Sequence, residues 1–388
     1  MTINPLLARI AAPPIPEAKG WASGYGGSLG PLIDLSQAVP GYPPPDELLR
    51  RHAIAAGSRE SASYGDILGD RDLRERYAEH VTRIYGRPVS AADVAITAGC
   101  NEGFFAAMIA LAKAGDTVLL PSPWYFNHKM TLDMLGIEAL AVPCRAEAGF
   151  VPDARDAEPL VGPDTRAIVL VTPNNPTGAI YPPATIHAFA ELCARRSITL
   201  VIDETYRDFI EPGGPRPHDL FDDPTWRQTV VQLYSFSKAY CIPGYRVGAL
   251  IADPGFVEEF AKILDCVHIC PSRSPQRVLV WAIEALADWR DANTSIILDR
   301  ASAFRSAMAS VAGWSIGSIG AYFAYLRHPF HGRSGSEVAA WLARERGVLC
   351  LPGSYFGPDQ DACLRMAFAN VDRATIMQVP ERLNAAFP

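Results

Sequence analysis

The sequence predicts an α/β protein: a large domain with a mainly parallel, helix-flanked sheet, and a smaller α+β domain after it. Three observations predict this. Between residues 94 and 252, short apolar runs alternate with helix-compatible stretches, the pattern of a parallel sheet covered on both faces by helices. Residues Gln276 to Ala312 then read as one long helix, able to join two domains. Beyond it, two more strand-like runs flank a helical stretch. The expected organisation is an N-terminal arm over residues 1–45, a large domain over 46–275, and a helix with a small C-terminal domain over 276–388.

The elements follow in order. Met1 to Pro45 is rich in Pro, Gly and aromatic residues without a sustained period. It reads as an extended arm that packs on the small domain and the active site, or crosses to a partner. Within it Gly24, Gly26 and Gly30 resemble a dinucleotide fingerprint, but Leu29 stands where the third glycine is required and no apolar strand precedes; that motif is rejected. From Asp70, the residues Leu73, Tyr77, Val81 and Ile84 recur every three or four positions. Asp70 is placed to cap this amphipathic helix and Gly86 to end it. Strands are expected at Val94 to Ile96, Thr117 to Leu120, Arg166 to Val171, Thr199 to Ile202, Thr229 to Leu233 and Val247 to Ala252. Leu279, Ile283, Leu286 and Trp289 give the long helix its apolar face. Tyr322 to Leu326 and Leu364 to Phe368 read as the strands of the smaller domain, with a helix around Glu337 to Arg346 and a turn at Pro352-Gly353.

Composition narrows the function. A chain of 388 residues has room for two domains, and 49% hydrophobic with 20% charged residues is ordinary for a globular protein. The net charge of −7 argues against nucleic acid or an anionic membrane as partner. Eight scattered cysteines in a chain too long to need a disulfide scaffold point to reduced thiols and a cytoplasmic location. Met1 to Pro16 lacks an apolar core behind a basic start, and no long apolar run occurs, so neither an export signal nor a membrane span is expected. Cys266 and Cys270 bracket His268 at helical spacing, but no second ligand pair accompanies them; no metal site is expected.

The chemistry begins at Ser235-Phe-Ser-Lys, which sets Lys238 between hydroxyls just past an apolar strand, with Arg246 eight positions on. At a strand end the amine is partly desolvated and close to a cation, and both effects favour the neutral, nucleophilic form. Ser235, Ser237 and Arg246 offer two hydroxyls and a planar fork, which suit a phosphate. A reactive lysine beside a phosphate grip suggests pyridoxal phosphate, although Ser-x-Ser-Lys also describes many solvated loops. The Gly99-Cys100-Asn101 turn follows the Val94 to Ile96 run and opens a helix, where small residues let backbone amides approach an anion. Asn174-Asn175-Pro176-Thr177-Gly178 follows another strand as a rigid turn. Asp203 ends the apolar strand Leu200-Val201-Ile202. A carboxylate there requires a cationic partner, and a protonated pyridine nitrogen would be one.

In order along the chain come Tyr64-Gly65-Asp66, Gly99-Cys100-Asn101, Pro121-Ser122-Pro123-Trp124-Tyr125, Asn175-Pro176-Thr177-Gly178, Asp203-x-x-Tyr206, Ser235-x-Ser237-Lys238 with Arg246, and Leu364-Arg365-Met366. This series resembles the class I/II aminotransferases, fold type I pyridoxal-phosphate enzymes typified by aspartate aminotransferase, over about residues 34 to 370. The resemblance implies a role for each residue. Lys238 would carry the cofactor's carbonyl covalently and later shuttle the Cα proton. Asp203 would keep the cofactor's pyridine nitrogen protonated; Asn175 and Tyr206 would bond its phenolic oxygen, and Tyr125 would stack on its ring. Gly99, Cys100, Asn101, Ser235, Ser237 and Arg246 would hold the phosphate, reached also by Tyr64 from the second subunit of a homodimer. Arg365, helped by Asn175, would take the substrate's α-carboxylate.

Asp34-Leu35-Ser36-Gln37-Ala38-Val39-Pro40 resembles the segment lining the substrate site of kynurenine and glutamine aminotransferases, which usually have glycine at the position of Ala38. A methyl group there is expected to crowd the carboxylate or restrict the backbone. Dicarboxylate enzymes add a second arginine from the partner subunit; the corresponding region falls near His268 to Arg273, and either of those residues is a candidate. Trp21, Tyr25 and Tyr42 are expected to build an apolar side-chain pocket. Together these imply transfer of an amino group from a neutral or aromatic amino acid to a 2-oxo acid by a ping-pong mechanism. A lyase on the same scaffold and a non-catalytic cofactor-binding regulatory domain are the alternatives; the second lacks a basic DNA-binding segment before residue 34.

Overall fold

The computed structural model describes residues 1–214 and 216–387. Among these, seven strands form the principal sheet: β2 (Val94–Thr97), β3 (Thr117–Ser122), β4 (Glu138–Pro143), β5 (Thr165–Val171), β6 (Thr199–Asp203), β7 (Val230–Ser235) and β8 (Gly248–Ile251). Their spatial order is β2-β8-β7-β6-β5-β3-β4. The β7-β6-β5-β3-β4 run is parallel, and β8 is antiparallel to both its neighbours. β2 and β7 are buried at every position, because helices cover both faces.

Alternation along the strands divides the core in two. Leu119, Ile168, Leu200 and Ile202 face one side and join Tyr77 and Val81 of the helix Arg71–Tyr85. Val118, Val169, Val201 and Leu233 face the other and join Phe104 and Met108 of Cys100–Leu111. A second sheet, ordered β12-β13-β10-β9, is antiparallel and consists of β9 (Ser315–Gly320), β10 (Phe323–Arg327), β12 (Leu351–Pro352) and β13 (Cys363–Met366). Phe304 and Met308 of the helix Ala287–Met308 pack into its core with Leu326 and Leu364. A two-stranded parallel pair, β1 (Ile33–Asp34) with β11 (Val348–Leu349), ties the N-terminal segment to this part of the chain.

Several expectations are corrected. The first 45 residues are not simply extended: they contain the helices Pro5–Ala8 and Pro14–Ala22 as well as β1, each helix opening on a proline whose missing N–H costs nothing there. The long helix is two, Arg273–Ala285 and Ala287–Met308. The chain turns at Leu286, whose backbone leaves the helical region at φ −105°, ψ 21°, without a glycine or proline to announce it. Asp70 sits at the N-cap of Arg71–Tyr85 but makes no cap bond; its Oδ1 accepts from Arg273 Nε at 3.0 Å instead. Gly86 does end the helix in the left-handed conformation, φ 68°. Among the described residues no helix is long and apolar enough to cross a membrane.

Candidate active site

The parallel strands deliver their chemistry at one edge. Asp203 ends β6 and Ser235 ends β7, while Asn175 follows β5 and Tyr125 follows β3. This carboxyl-terminal edge is where open α/β sheets hold ligands. Lys238 stands in the short helix Phe236–Ala239, capped by Ser235 Oγ, which accepts from Ser237 N at 3.2 Å. Its Nζ donates to the backbone oxygen of Ala38 and lies 5.9 Å from the Tyr206 ring centre. Burial, with Arg246 and Arg365 nearby, lowers its pKa to about 8. A substantial neutral fraction therefore exists just above neutral pH, as covalent capture of a carbonyl requires.

One side of this edge is an anion cradle. Gly99, at φ 91° and ψ 163°, is the N-cap of Cys100–Leu111, so the first backbone N–H groups of that helix lack intrahelical acceptors. Arg246 lies against it, donating from Nη2 to Ala98 O at 3.3 Å and from Nη1 to Pro243 O at 3.0 Å. A Cβ on residue 99 would stand 2.1 Å from Arg246 Nη2, so the close approach requires glycine. Ser237 Oγ is buried without a hydrogen-bond partner. An orphaned hydroxyl, free helix amides and a guanidinium at one point fit a phosphate group.

The same pocket holds Asp203, 4% exposed. Thr205 donates to its Oδ1 from N at 2.9 Å and from Oγ1 at 2.7 Å, and His128 Nε2 lies 3.3 Å from Oδ2. Burial acts to raise its pKa, but His128 and Thr205 outweigh burial and hold it below the usual carboxylate value. An ionised carboxylate in this position fits a protonated pyridine nitrogen. Neither His128 nor Thr205 was legible as a partner from sequence. The His128 ring is set by stacking on Phe104, 3.9 Å between centres at 24°, a contact between helices that no motif records. Tyr125 Oη donates to Asn101 Oδ1 at 3.5 Å, and burial pushes its pKa up to about 12. Cys100, Asn101, Ser235, Ser237 and Tyr206 line the same pocket as Asp203 and Lys238.

Arg365, on β13, is 2% exposed. Its Nη1 donates to Asn175 Oδ1 at 3.0 Å and its Nη2 to Ser36 O, while Nε has no partner. The guanidinium carbon lies 5.1 Å from both the Phe323 and Phe356 ring centres. Among the described residues it has no carboxylate within ion-pair range, and burial lowers its pKa to about 10. A buried cation without a counter-ion is costly, and an incoming carboxylate would relieve that cost. Arg365, Asn175, Tyr206 and Lys238 border one cavity of about 610 Å³, a size that holds a small molecule.

The remaining expected residues are placed as follows, with Ala38 bordering the same cavity as Arg365 and Lys238. Tyr64 is 78% exposed and does not border this pocket. Trp21, Tyr25 and Tyr42 do not build the side-chain pocket: Trp21 packs into core clusters, Tyr25 Oη donates to Gly30 O at 3.1 Å, and Tyr42 packs edge-on to Trp289. The apolar lining comes from Ile15, Val39 and Phe126. Arg273 is bound to Asp70, and His268 Nδ1 lies 2.7 Å from Glu102 Oε1, so both candidates for a distal carboxylate already have acidic partners. Ala38 has no positive φ; the backbone freedom of glycine is not needed there.

The family described as Aminotransferase class I and II matches residues 30–383. An aromatic aminotransferase of Arabidopsis thaliana is 26% identical over 358 residues, 90% of this chain and 88% of that protein. A valine–pyruvate aminotransferase of Mycobacterium tuberculosis is 33% identical over 246 residues, 62% of this chain and 61% of that one. In fold the chain is similar to the aspartate aminotransferase of Rhizobium meliloti, with a TM-score of 0.91, 21% identity, and coverage of 99% and 98% of the two chains. With a family match that spans nearly its whole length, the chain belongs to the class I and II aminotransferases, fold type I enzymes that use pyridoxal phosphate to transfer amino groups.

Proposed function

We propose that this enzyme moves the amino group of a neutral or aromatic amino acid to a 2-oxo acid in two half-reactions, with Lys238, Asp203 and Tyr206 as its catalytic residues. The observation that carries the reading is Arg365, a buried cation without a carboxylate, bordering the cavity that Lys238 also borders. Its Nε, which has no partner, and the second N–H of each Nη suit the α-carboxylate common to every amino acid and 2-oxo acid, and Asn175 orients it.

Pyridoxal phosphate, when bound, supplies a carbonyl that takes the amino group and a ring that accepts the electron pair left at Cα. Gly99, Cys100, Asn101, Ser235, Ser237 and Arg246 would hold its phosphate. Asp203, kept ionised by His128 and Thr205, would hold a proton at the pyridine nitrogen; Asn175 and Tyr206 would orient the phenolic oxygen, and Tyr125 would lie against the ring. Lys238 Nζ, whose lowered pKa leaves a substantial neutral fraction, would take the proton from the donor's Cα and deliver it to the former carbonyl carbon, C4′. With Arg273 and His268 paired to Asp70 and Glu102, the region where the family places a second arginine offers no free cation to a distal carboxylate. We further propose a homodimer in which the exposed Tyr64 reaches the partner's phosphate.

The test is absorbance of the purified holoenzyme with single amino acids and then with a 2-oxo acid. The expected result is conversion of the cofactor to its amine form and back in wild type, and none in Lys238→Ala, which still binds the cofactor. Release of pyruvate and ammonia from a β-substituted amino acid, without the amine form, would overturn the reading.

A further inference from the structure

The cavity over Lys238 is bordered on its outer side by the N-terminal segment, through Pro13, Ile15, Lys19, Gln37 and Val39. Its lining contains four cations, Lys238, Arg246, Arg365 and Lys19, and not one Asp or Glu. In the proposed function the first three are engaged, by the cofactor carbonyl, the phosphate and the α-carboxylate. Lys19 is left over. Among the described residues it has no carboxylate in ion-pair range, and its ammonium donates only to Gln37 Oε1, at 3.4 Å.

That bond has a second consequence. With Gln37 Oε1 occupied by a donor, the free end of the amide is Nε2, which is itself a donor. Asn127 borders the same cavity. The outer wall thus presents an ammonium and an amide N–H₂ with no acidic residue to answer them. Pro14 and Ala18, both buried, anchor the helix Pro14–Ala22 that carries Lys19, so the ammonium is offered from a seated element rather than from a loose tail.

We infer that Lys19, with Gln37, is a specificity-determining pair that selects donors ending in an oxygen acceptor, a carboxamide or carboxyl group, over apolar donors of equal length, and repels cationic ones. This rests on the proposed function, since the α-carboxylate at Arg365 fixes which end of the donor points outward. Because Lys19 is exposed, a bond from its ammonium to such an oxygen is worth roughly a fewfold in selectivity, while a like charge brought into this cavity is disfavoured.

The experiment measures kcat/KM of the holoenzyme for glutamine, glutamate, methionine, lysine and alanine, in wild type, Lys19→Met and Lys19→Arg. Glutamine and methionine have similar length and differ in the distal oxygen; alanine is too short to reach it. The expected result is that wild type prefers glutamine or glutamate to methionine, that Lys19→Met lowers this ratio roughly a fewfold, that Lys19→Arg retains it, and that alanine is unchanged. Which of glutamine and glutamate suffers more identifies the group that is read. An unchanged ratio in Lys19→Met, or an equal fall for alanine, would overturn the inference. Either outcome leaves amino transfer itself intact, whereas absence of turnover with every donor in wild type would refute the proposed function instead.

Discussion

Replacing Gly99 by alanine isolates the phosphate grip from the rest of the site. Gly99 holds φ 91° and ψ 163°, a region open essentially to glycine alone, where another residue costs about 1–3 kcal/mol. The new Cβ would meet Arg246 Nη2 at 2.1 Å and Cζ at 2.8 Å. The guanidinium must therefore leave its place beside the helix start. A charged hydrogen bond lost there costs a further 1.5–3 kcal/mol, roughly, so the affinity for pyridoxal phosphate falls by about tenfold to a hundredfold or more. The assay titrates the cofactor-free protein with pyridoxal phosphate and, separately, with pyridoxal, following absorbance. The phosphorylated form should weaken far more than pyridoxal, because the side chains of Lys238 and Asp203 remain and pyridoxal feels only the lost influence of Arg246 on Lys238. Equal weakening for both forms, or none for either, would refute the argument that Gly99 and Arg246 build a phosphate site.

Three further predictions follow from the same geometry. Because Lys238 is held at about 8, the rate of covalent capture of pyridoxal phosphate by the cofactor-free enzyme should rise with pH up to about 8 and level off above it; Arg365→Met removes one of the depressing charges and should move that midpoint upward, and an unmoved midpoint refutes the coupling. His128→Leu removes the ring whose Nε2 lies 3.3 Å from Asp203 Oδ2 and helps to hold that carboxyl's pKa down, so the acid limb of kcat/KM should move to higher pH, with no shift expected if Thr205 alone holds the carboxylate. Tyr64→Phe should weaken activity, and mixing it with inactive Lys238→Ala should raise activity above that of either variant alone, because a mixed dimer would contain one intact site; failure to do so excludes Tyr64 acting across subunits.

Legibility in the sequence divides along physical lines. The strands ending at Val171, Asp203 and Ser235 were readable because buried parallel strands are continuous apolar runs, and the residues just beyond them stand at one edge whatever the loops do. Strand Glu138–Pro143 escaped notice: it is an edge strand with only one fully buried position, so it lacks the apolar density that marks its neighbours. Ser315–Gly320 escaped for the same reason, none of its residues being fully buried. The division of Arg273–Ala285 from Ala287–Met308 was hidden because periodicity reports a face and not an axis. His128 belongs to a third class: its partner Asp203 is 75 positions away, and only the packing of two helices brings them together.

The segment from Asp34 to Ala38 shows why substrate choice is harder to read than cofactor chemistry. It pairs with β11 through Ile33 and Asp34, passes Ser36 O to Arg365, and passes Ala38 O to Lys238. One short stretch of backbone thus touches the cation on the antiparallel sheet and the amine on the parallel one. These contacts use carbonyl oxygens, which every residue type has, so side-chain identity at 36 and 38 is under little constraint from them. What the side chains of this segment do control is the outer wall, where Gln37 and Val39 face the cavity beside Lys19. The motif residues report the cofactor because their side chains do its chemistry. The side chains that border the cavity from the N-terminal segment, Lys19, Gln37 and Val39 among them, belong to no motif, whereas the aromatic residues Trp21, Tyr25 and Tyr42 of the same segment are held elsewhere by packing and a hydrogen bond.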